Sequence, residues 1–177
     1  ILGSILEQAV KDDIIPKNYM KNIDRPKQVK VRQMITLSAN EVKNFLSNIS
    51  NTEHHALFKL AFATGMRRSE LLGLRWSDID FKKSTISISQ TALKIGSTAV
   101  ISNTTKTTSS KRIIAIDTET LQELMKHKTV IDKRRIKTMN WINNNLVFPG
   151  IKGAPRCPDE VSKLCKKYAN LIGKPSF

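Results

Sequence analysis

The chain has 177 residues, 40% of them hydrophobic, which is enough for one core of ordinary domain size and a short appendage. Thirty lysines and arginines against fifteen aspartates and glutamates leave a formal net charge of +15. A charge of this size predicts a polyanionic partner, most simply nucleic acid. No apolar run approaches the roughly 18 residues of a membrane span, so we expect no membrane-embedded role.

The first 36 residues divide into two stretches of different character. Over residues 1–23, apolar residues recur on one helical face until Pro16, which predicts a helix and its exit. Residues 24–36 are basic, contain proline and show no period, which is typical of a linker. We therefore expect the main domain to occupy residues 37–177.

Two helices are predicted at the start of the main domain. Ser38 and Glu41 have the spacing of a capping box, which predicts a helix from Ser38 to about Ser50. A second helical pattern runs from about Thr52 to Ala63. Together they should place an apolar stripe of each helix on a common core.

The stretch from Thr64 to Asp80 is the most informative part of the sequence. Gly65 breaks the preceding helical period, and a short helix restarts at about Arg67. A guanidinium at such a break has the fork geometry that holds phosphate oxygens in pairs. Glu70 lies three residues further on, where it can orient Arg67. Taken alone, the pair is also compatible with an ordinary surface ion pair.

After this stretch the apolar period changes from 3.6 to 2. Strands are predicted over residues 85–89 and 112–116, with a weaker candidate over residues 99–101. A polar turn rich in hydroxyl groups separates the candidate strand over residues 99–101 from the strand over residues 112–116. Two further helices are predicted over residues 118–139 and 159–172, and the second places Tyr168 on its apolar stripe.

The run T-G-x-R-x-x-E-L-x-x-L-x-W-x-D-I-D over residues 64–80 resembles the box around the first catalytic arginine of the tyrosine recombinases, the phage integrase family. The polar turn resembles the K-T-x-x-S-x-R hairpin of that family, with Lys106 at the position of the lysine that protonates the leaving 5′-oxygen. The resemblance implies an α+β fold: a mostly helical catalytic domain with a small antiparallel β-sheet, truncated at its C-terminus. It also implies that residues 1–23 are the end of the core-binding domain.

The resemblance assigns catalytic roles to Arg67 and Lys106 and a supporting role to Glu70. Further DNA contacts are expected from basic positions near these residues and in the linker, namely Arg68, Lys111, Arg112 and the segment from Gln28 to Lys30. In this family a tyrosine attacks a DNA phosphodiester and forms a 3′-phosphotyrosine, so neither a cofactor nor a metal is expected.

Two elements of the family's site have no match in the sequence. No H-x-x-R box, which supplies the second arginine, follows any of the three histidines. Tyr168 is predicted to be a core residue and Tyr19 lies beside the linker, so neither matches the nucleophile. We therefore expect a chain that binds DNA, belongs to a strand-breaking and rejoining enzyme, and is inactive alone.

The expected partner is double-stranded DNA at attachment sites, with a homo-oligomer assembling on DNA in the full-length protein. A cytoplasmic location in a bacterium or a phage-infected cell follows from the resemblance. The alternative is a non-catalytic truncated integrase that occupies recombination sites as a regulator. A basic RNA-associated protein rests on charge alone, because aromatic RNA-reading motifs are missing from the sequence.

Overall fold

The computed structural model of the protein describes residues 2–23, 36–96, 98–102 and 112–175. The chain divides into two compact units, residues 1–34 and 35–177. Except for Thr36, the predicted linker over residues 24–36 lies outside the described residues. No helix among those described is long and apolar enough to cross a membrane.

The first unit consists of a helix and a short return. Helix α1 spans Leu2–Lys11 and is followed by a 3₁₀ turn over Tyr19–Asn22. Glu7 ties the two together by accepting hydrogen bonds from the Asn18 amide at 2.9 Å and from Lys21 Nζ at 3.0 Å. The predicted helix is therefore present, although none of its residues is buried within the described chain.

Five helices form most of the second unit. They are α2 (Ala39–Ser47), α3 (Thr52–Thr64), α4 (Arg68–Gly73), α5 (Thr118–Lys137) and α6 (Pro158–Leu171). The predicted capping box is confirmed, because the Ser38 hydroxyl accepts from the Glu41 N–H and the Glu41 carboxylate accepts from the Ser38 N–H. Helix α2 ends three residues before its predicted end, since the Asn48 side chain donates to the Asn44 carbonyl at 2.8 Å and closes the last turn.

The strands form two small antiparallel sheets. Strands β1 (Ile79–Asp80), β2 (Thr85–Ile88) and β5 (Arg112–Ala115) lie in the order β1-β2-β5, with Ile86 opposite Ile114. Strands β3 (Thr91–Ile95) and β4 (Thr98–Ser102) form a separate hairpin. The sequence did not predict β1 or β3. The mostly helical α+β architecture is confirmed.

The core lies between the helices and the buried face of the larger sheet. Its fully buried side chains include Phe45, Leu57 and Leu72, and Tyr168 packs edge-on against Phe45 and Phe58. The prediction of Tyr168 as a core residue is confirmed, since only 6% of it is exposed. Two large apolar side chains on these helices are exposed: 49% of Met125 and 59% of Leu171 are accessible.

Strand β3 packs closely on the end of helix α4 at Gly73. A Cβ added to Gly73 would lie 2.8 Å from the Thr91 Cα, closer than real side chains approach a backbone. The Gln90 side chain also donates to the Gly73 carbonyl at 2.6 Å. This contact therefore positions the β3–β4 hairpin against the helix that follows Arg67.

We expect Gly73→Ala to destabilise the protein by about 1–3 kcal/mol, because the added methyl group must push the backbone of β3 away. Urea unfolding of both proteins measures this difference. Gly3→Ala serves as the control, because no atom lies within 4 Å of the added Cβ at that position. Equal stability of the Gly73→Ala variant and the parent would contradict the close packing.

Candidate functional site

Arg67 lies at a break between two helices. Helix α3 ends at Gly65, which adopts a left-handed conformation with φ of 61°, and Arg67 is the N-cap residue of α4. Glycine is the residue that reaches this conformation without strain, so Gly65 turns the chain sharply. The Arg67 side chain is 72% exposed. Its guanidinium is open to a ligand.

Glu70 is the buried centre of the site, with only 3% of its side chain exposed. Its two oxygens accept hydrogen bonds from the Arg67 N–H at 2.8 Å and from Arg67 Nη1 at 3.0 Å. Arg112 donates two further hydrogen bonds to the same carboxylate, from Nη1 at 2.9 Å and from Nη2 at 2.8 Å. Burial alone raises the pKa of Glu70, but these bonds outweigh it and lower the pKa to about 2.

The bidentate pair between Arg112 and Glu70 joins strand β5 to helix α4. The prediction treated Arg112 as a DNA contact, whereas the structure places both of its terminal nitrogens on the carboxylate. A phosphate contact by Arg112 would have to use its remaining N–H groups. Strand alternation alone could not have identified the inward face, because Ile113 on the exposed face is as apolar as Ile114 on the half-buried face that Arg112 shares.

Of the other residues predicted to act at the site or contact DNA, the structure describes only Arg68. Arg68 is exposed and donates a hydrogen bond to the Ser162 hydroxyl on α6. Lys106, Lys111 and the segment from Gln28 to Lys30 lie outside the described residues. The structure therefore brings together Arg67, Glu70 and Arg112, and the roles of the remaining residues stay predictions.

The arrangement suits the binding of an anion by electrostatics and hydrogen bonding. The guanidinium of Arg67 is oriented by a carboxylate that is itself fixed by Arg112, while its exposed edge retains N–H donors. No group of three or more metal-ligating side chains occurs in the described part of the chain. The chemistry that Arg67 and its partners offer is the stabilisation of negative charge on a bound anion.

Tyr168 is not placed to act beside Arg67 as a nucleophile. The Tyr168 hydroxyl is hydrogen-bonded to His54 Nδ1 at 2.9 Å, and burial raises the pKa of Tyr168. Its partner His54 lies in the first turn of α3, whereas Arg67 follows the last turn. Tyr19 belongs to the first unit, where its side chain is exposed.

The sequence profile of the phage integrase family matches residues 36–176 of the chain. A tyrosine recombinase XerC-like protein of Caldanaerobacter subterraneus subsp. tengcongensis is 28% identical over 152 residues, which are 79% of this chain and 39% of the relative. The integrase of Staphylococcus phage L54a is 30% identical over 140 residues, which are 75% of this chain and 40% of the relative. The chain thus spans about two fifths of the length of these relatives.

Solved structures show the same fold. The Tn1549 transposon integrase in complex with a circular intermediate DNA has a TM-score of 0.67 and 25% identity, over 95% of this chain and 56% of that one. The same integrase in complex with transposon right end DNA has a TM-score of 0.70 and 24% identity, over 96% and 56% of the two chains. By its family profile, its relatives and its fold, the chain belongs to the phage integrase family of tyrosine recombinases.

Proposed function

We propose that the chain is a DNA-binding part of a site-specific recombinase. In this proposal Arg67 binds the phosphate at which the DNA strand is cut. The observation that carries this proposal is the orientation of the Arg67 guanidinium by the buried Glu70 carboxylate, which Arg112 also binds. Lys106 acts as the general acid on the leaving 5′-oxygen. Double-stranded DNA is the substrate, and no cofactor takes part.

The proposal extends to the organisation of the whole protein. In this proposal residues 1–23 are the C-terminal part of the core-binding domain, and residues 24–36 form the linker. Residues 37–177 are the N-terminal part of the catalytic domain. The active protein assembles as a homo-oligomer on DNA attachment sites in the cytoplasm of its bacterial host. The matched part of the Tn1549 integrase supports this view, because that protein was solved in complex with DNA.

The 177-residue chain should not form a covalent adduct with DNA. Its sequence contains no H-x-x-R box, and Tyr168 is buried and hydrogen-bonded to His54. A nicked suicide substrate that carries an attachment site, followed by denaturing electrophoresis, tests this expectation. A band that survives denaturation and maps to Tyr168 or Tyr19 would overturn it.

Binding to duplex DNA should be detectable and should weaken steeply with salt. A net charge of +15 releases condensed counterions on binding, so the logarithm of the affinity falls linearly with the logarithm of the salt concentration. Fluorescence anisotropy between about 50 and 200 mM salt, where several phosphate contacts cost orders of magnitude in affinity, measures the slope. An affinity that does not change across this range would show that the basic surface is not a DNA footprint.

A second candidate function is a non-catalytic protein that occupies recombination sites. The observation in its favour is that no H-x-x-R box occurs within the 177 residues and that Tyr168 is buried. The two candidate functions predict different reading frames after the codon for Phe177. A reading frame that continues beyond Phe177 into an H-x-x-R box and a tyrosine supports the recombinase, and a stop codon there supports the regulator.

A further inference from the structure

A second cationic site lies at the opposite end of helix α3 from Arg67. It is a cavity of about 400 Å³ between the first turn of α3, the segment that precedes α6, and one face of α6. Three of its six lining residues are positively charged, and a single carboxylate accompanies them. The lining consists of His54, Arg156, Glu160, Lys163, Leu164 and Lys167.

Arg156 is a buried guanidinium whose hydrogen-bonding capacity is only partly used. Its side chain is 11% exposed, and Glu53 lies 3.5 Å away. Both Glu53 oxygens already accept short bonds from Arg134, at 2.8 and 2.9 Å. The remaining bond of Arg156 is a long one, to the Pro149 carbonyl at 3.3 Å. One carboxylate thus serves two largely buried guanidiniums, and Arg156 also faces the cavity, where a ligand can accept hydrogen bonds from it.

The two lysines add positive charge to the cavity. Neither Lys163 nor Lys167 forms an ion pair within the described residues, and Lys167 lies over the Tyr168 ring at 5.8 Å. Glu160 provides one negative charge on the lining, so the cations remain in excess. Because like charges around a concave surface reinforce one another's potential, the cavity attracts anions more strongly than scattered surface lysines do.

His54 supplies a neutral donor or acceptor at the same cavity. Its Nδ1 is engaged by the Tyr168 hydroxyl at 2.9 Å, which leaves Nε2 as its other polar atom. Burial and then the nearby Arg156 lower the pKa of His54, so the ring is uncharged at neutral pH. The adjacent Leu164 gives the cavity an apolar edge.

We propose that this cavity binds a phosphate group, which accepts a hydrogen bond from Arg156 and is neutralised by Lys163 and Lys167. A guanidinium and two ammonium groups match the charge and the oxygen geometry of a phosphate better than those of a single carboxylate. The cavity shares no residue with the group formed by Arg67, Glu70 and Arg112, although α6 carries both Lys163 of the cavity and Ser162, which accepts a hydrogen bond from Arg68. The phosphate comes either from a small phosphorylated molecule or from the backbone of DNA.

The test compares two double variants with the same loss of charge. Lys163→Gln/Lys167→Gln removes the two lysines of the cavity, and Lys137→Gln/Lys166→Gln removes two exposed lysines that do not line it. Both are made in the Arg67→Gln background, so that binding at Arg67 does not contribute. Inorganic phosphate is titrated by calorimetry at constant ionic strength, and duplex DNA is titrated by fluorescence anisotropy. Circular dichroism checks that all proteins are folded.

The cavity variant should lose at least about tenfold in affinity for inorganic phosphate while the control keeps it, if the ligand is a small phosphorylated molecule. If the ligand is DNA, phosphate alone binds neither protein. The cavity variant then loses DNA affinity and about two units of salt slope relative to the control. Equal behaviour of the two variants in both titrations would overturn the proposal.

Discussion

Replacing Glu70 with glutamine should reduce the free energy of unfolding by about 3 kcal/mol at pH 7, and the loss should shrink as the pH falls. The pKa of Glu70 in the folded protein is about 2, against an ordinary value of 4.5. At about 1.4 kcal/mol for each pH unit, this difference corresponds to about 3 kcal/mol. Glutamine keeps the shape but leaves two arginines without their carboxylate.

The direction of the pH dependence follows from the sign of the pKa change. A carboxylate whose pKa is lowered by folding contributes its full stability above its unfolded value, here about 4.5. That contribution disappears as the pH falls towards the folded value of about 2. The gap in unfolding free energy between the parent and Glu70→Gln should therefore be constant from pH 7 to about pH 5 and narrow below it.

Urea unfolding at several pH values between 7 and 3 measures this gap. Glu119→Gln is the matched control, since Glu119 is 83% exposed and pairs with Lys59 at 2.9 Å. The same chemical change at an exposed pair should cost less than about 1 kcal/mol. If the two variants lose the same stability at pH 7, Glu70 is not the buried centre that links α4 to β5.

The local parts of the site could be predicted from the sequence. The restart of the helix at Arg67 follows from Gly65, and the contact between Arg67 and Glu70 follows from their spacing of three residues. The helix that begins after Ser38 was predicted equally well, because its capping box lies within four residues. Each of these features depends only on neighbours in the chain.

The features that the sequence did not predict join distant segments. Arg112 lies 42 residues from Glu70, and only the folded chain brings the two together. Strand β3 was missed because its apolar and polar residues alternate only weakly, and Ala92 is its one buried residue. Its Lys94 donates a hydrogen bond at 2.6 Å to Asp159 of α6, which lies 65 residues away in the chain. The cavity beside Arg156 belongs to the same class, since α3, α6 and the segment before α6 form it together.

Replacing Arg67 with alanine should leave the fold intact and abolish most of the cleavage activity. The Arg67 side chain is 72% exposed. When this side chain is removed, Glu70 keeps three hydrogen bonds, two from Arg112 and one from the backbone N–H of residue 67. The loss of unfolding free energy should therefore be about 1 kcal/mol or less. In a version that carries an H-x-x-R box and the nucleophilic tyrosine, strand cleavage should slow by about a hundredfold to a thousandfold or more, as expected when a charge aimed at a transition state is removed.

Arg135→Ala provides the control for this experiment, because it removes the same charge from an exposed position on α5. Cleavage of a suicide substrate under single-turnover conditions separates the chemical step from DNA binding, which both variants weaken through their lower charge. Arg67→Lys should restore part of the binding but little of the rate, because an ammonium cannot form the fork. If Arg67→Ala unfolds the domain while the longer protein still cleaves, Arg67 is only a structural partner of Glu70, and the phosphate must be held elsewhere.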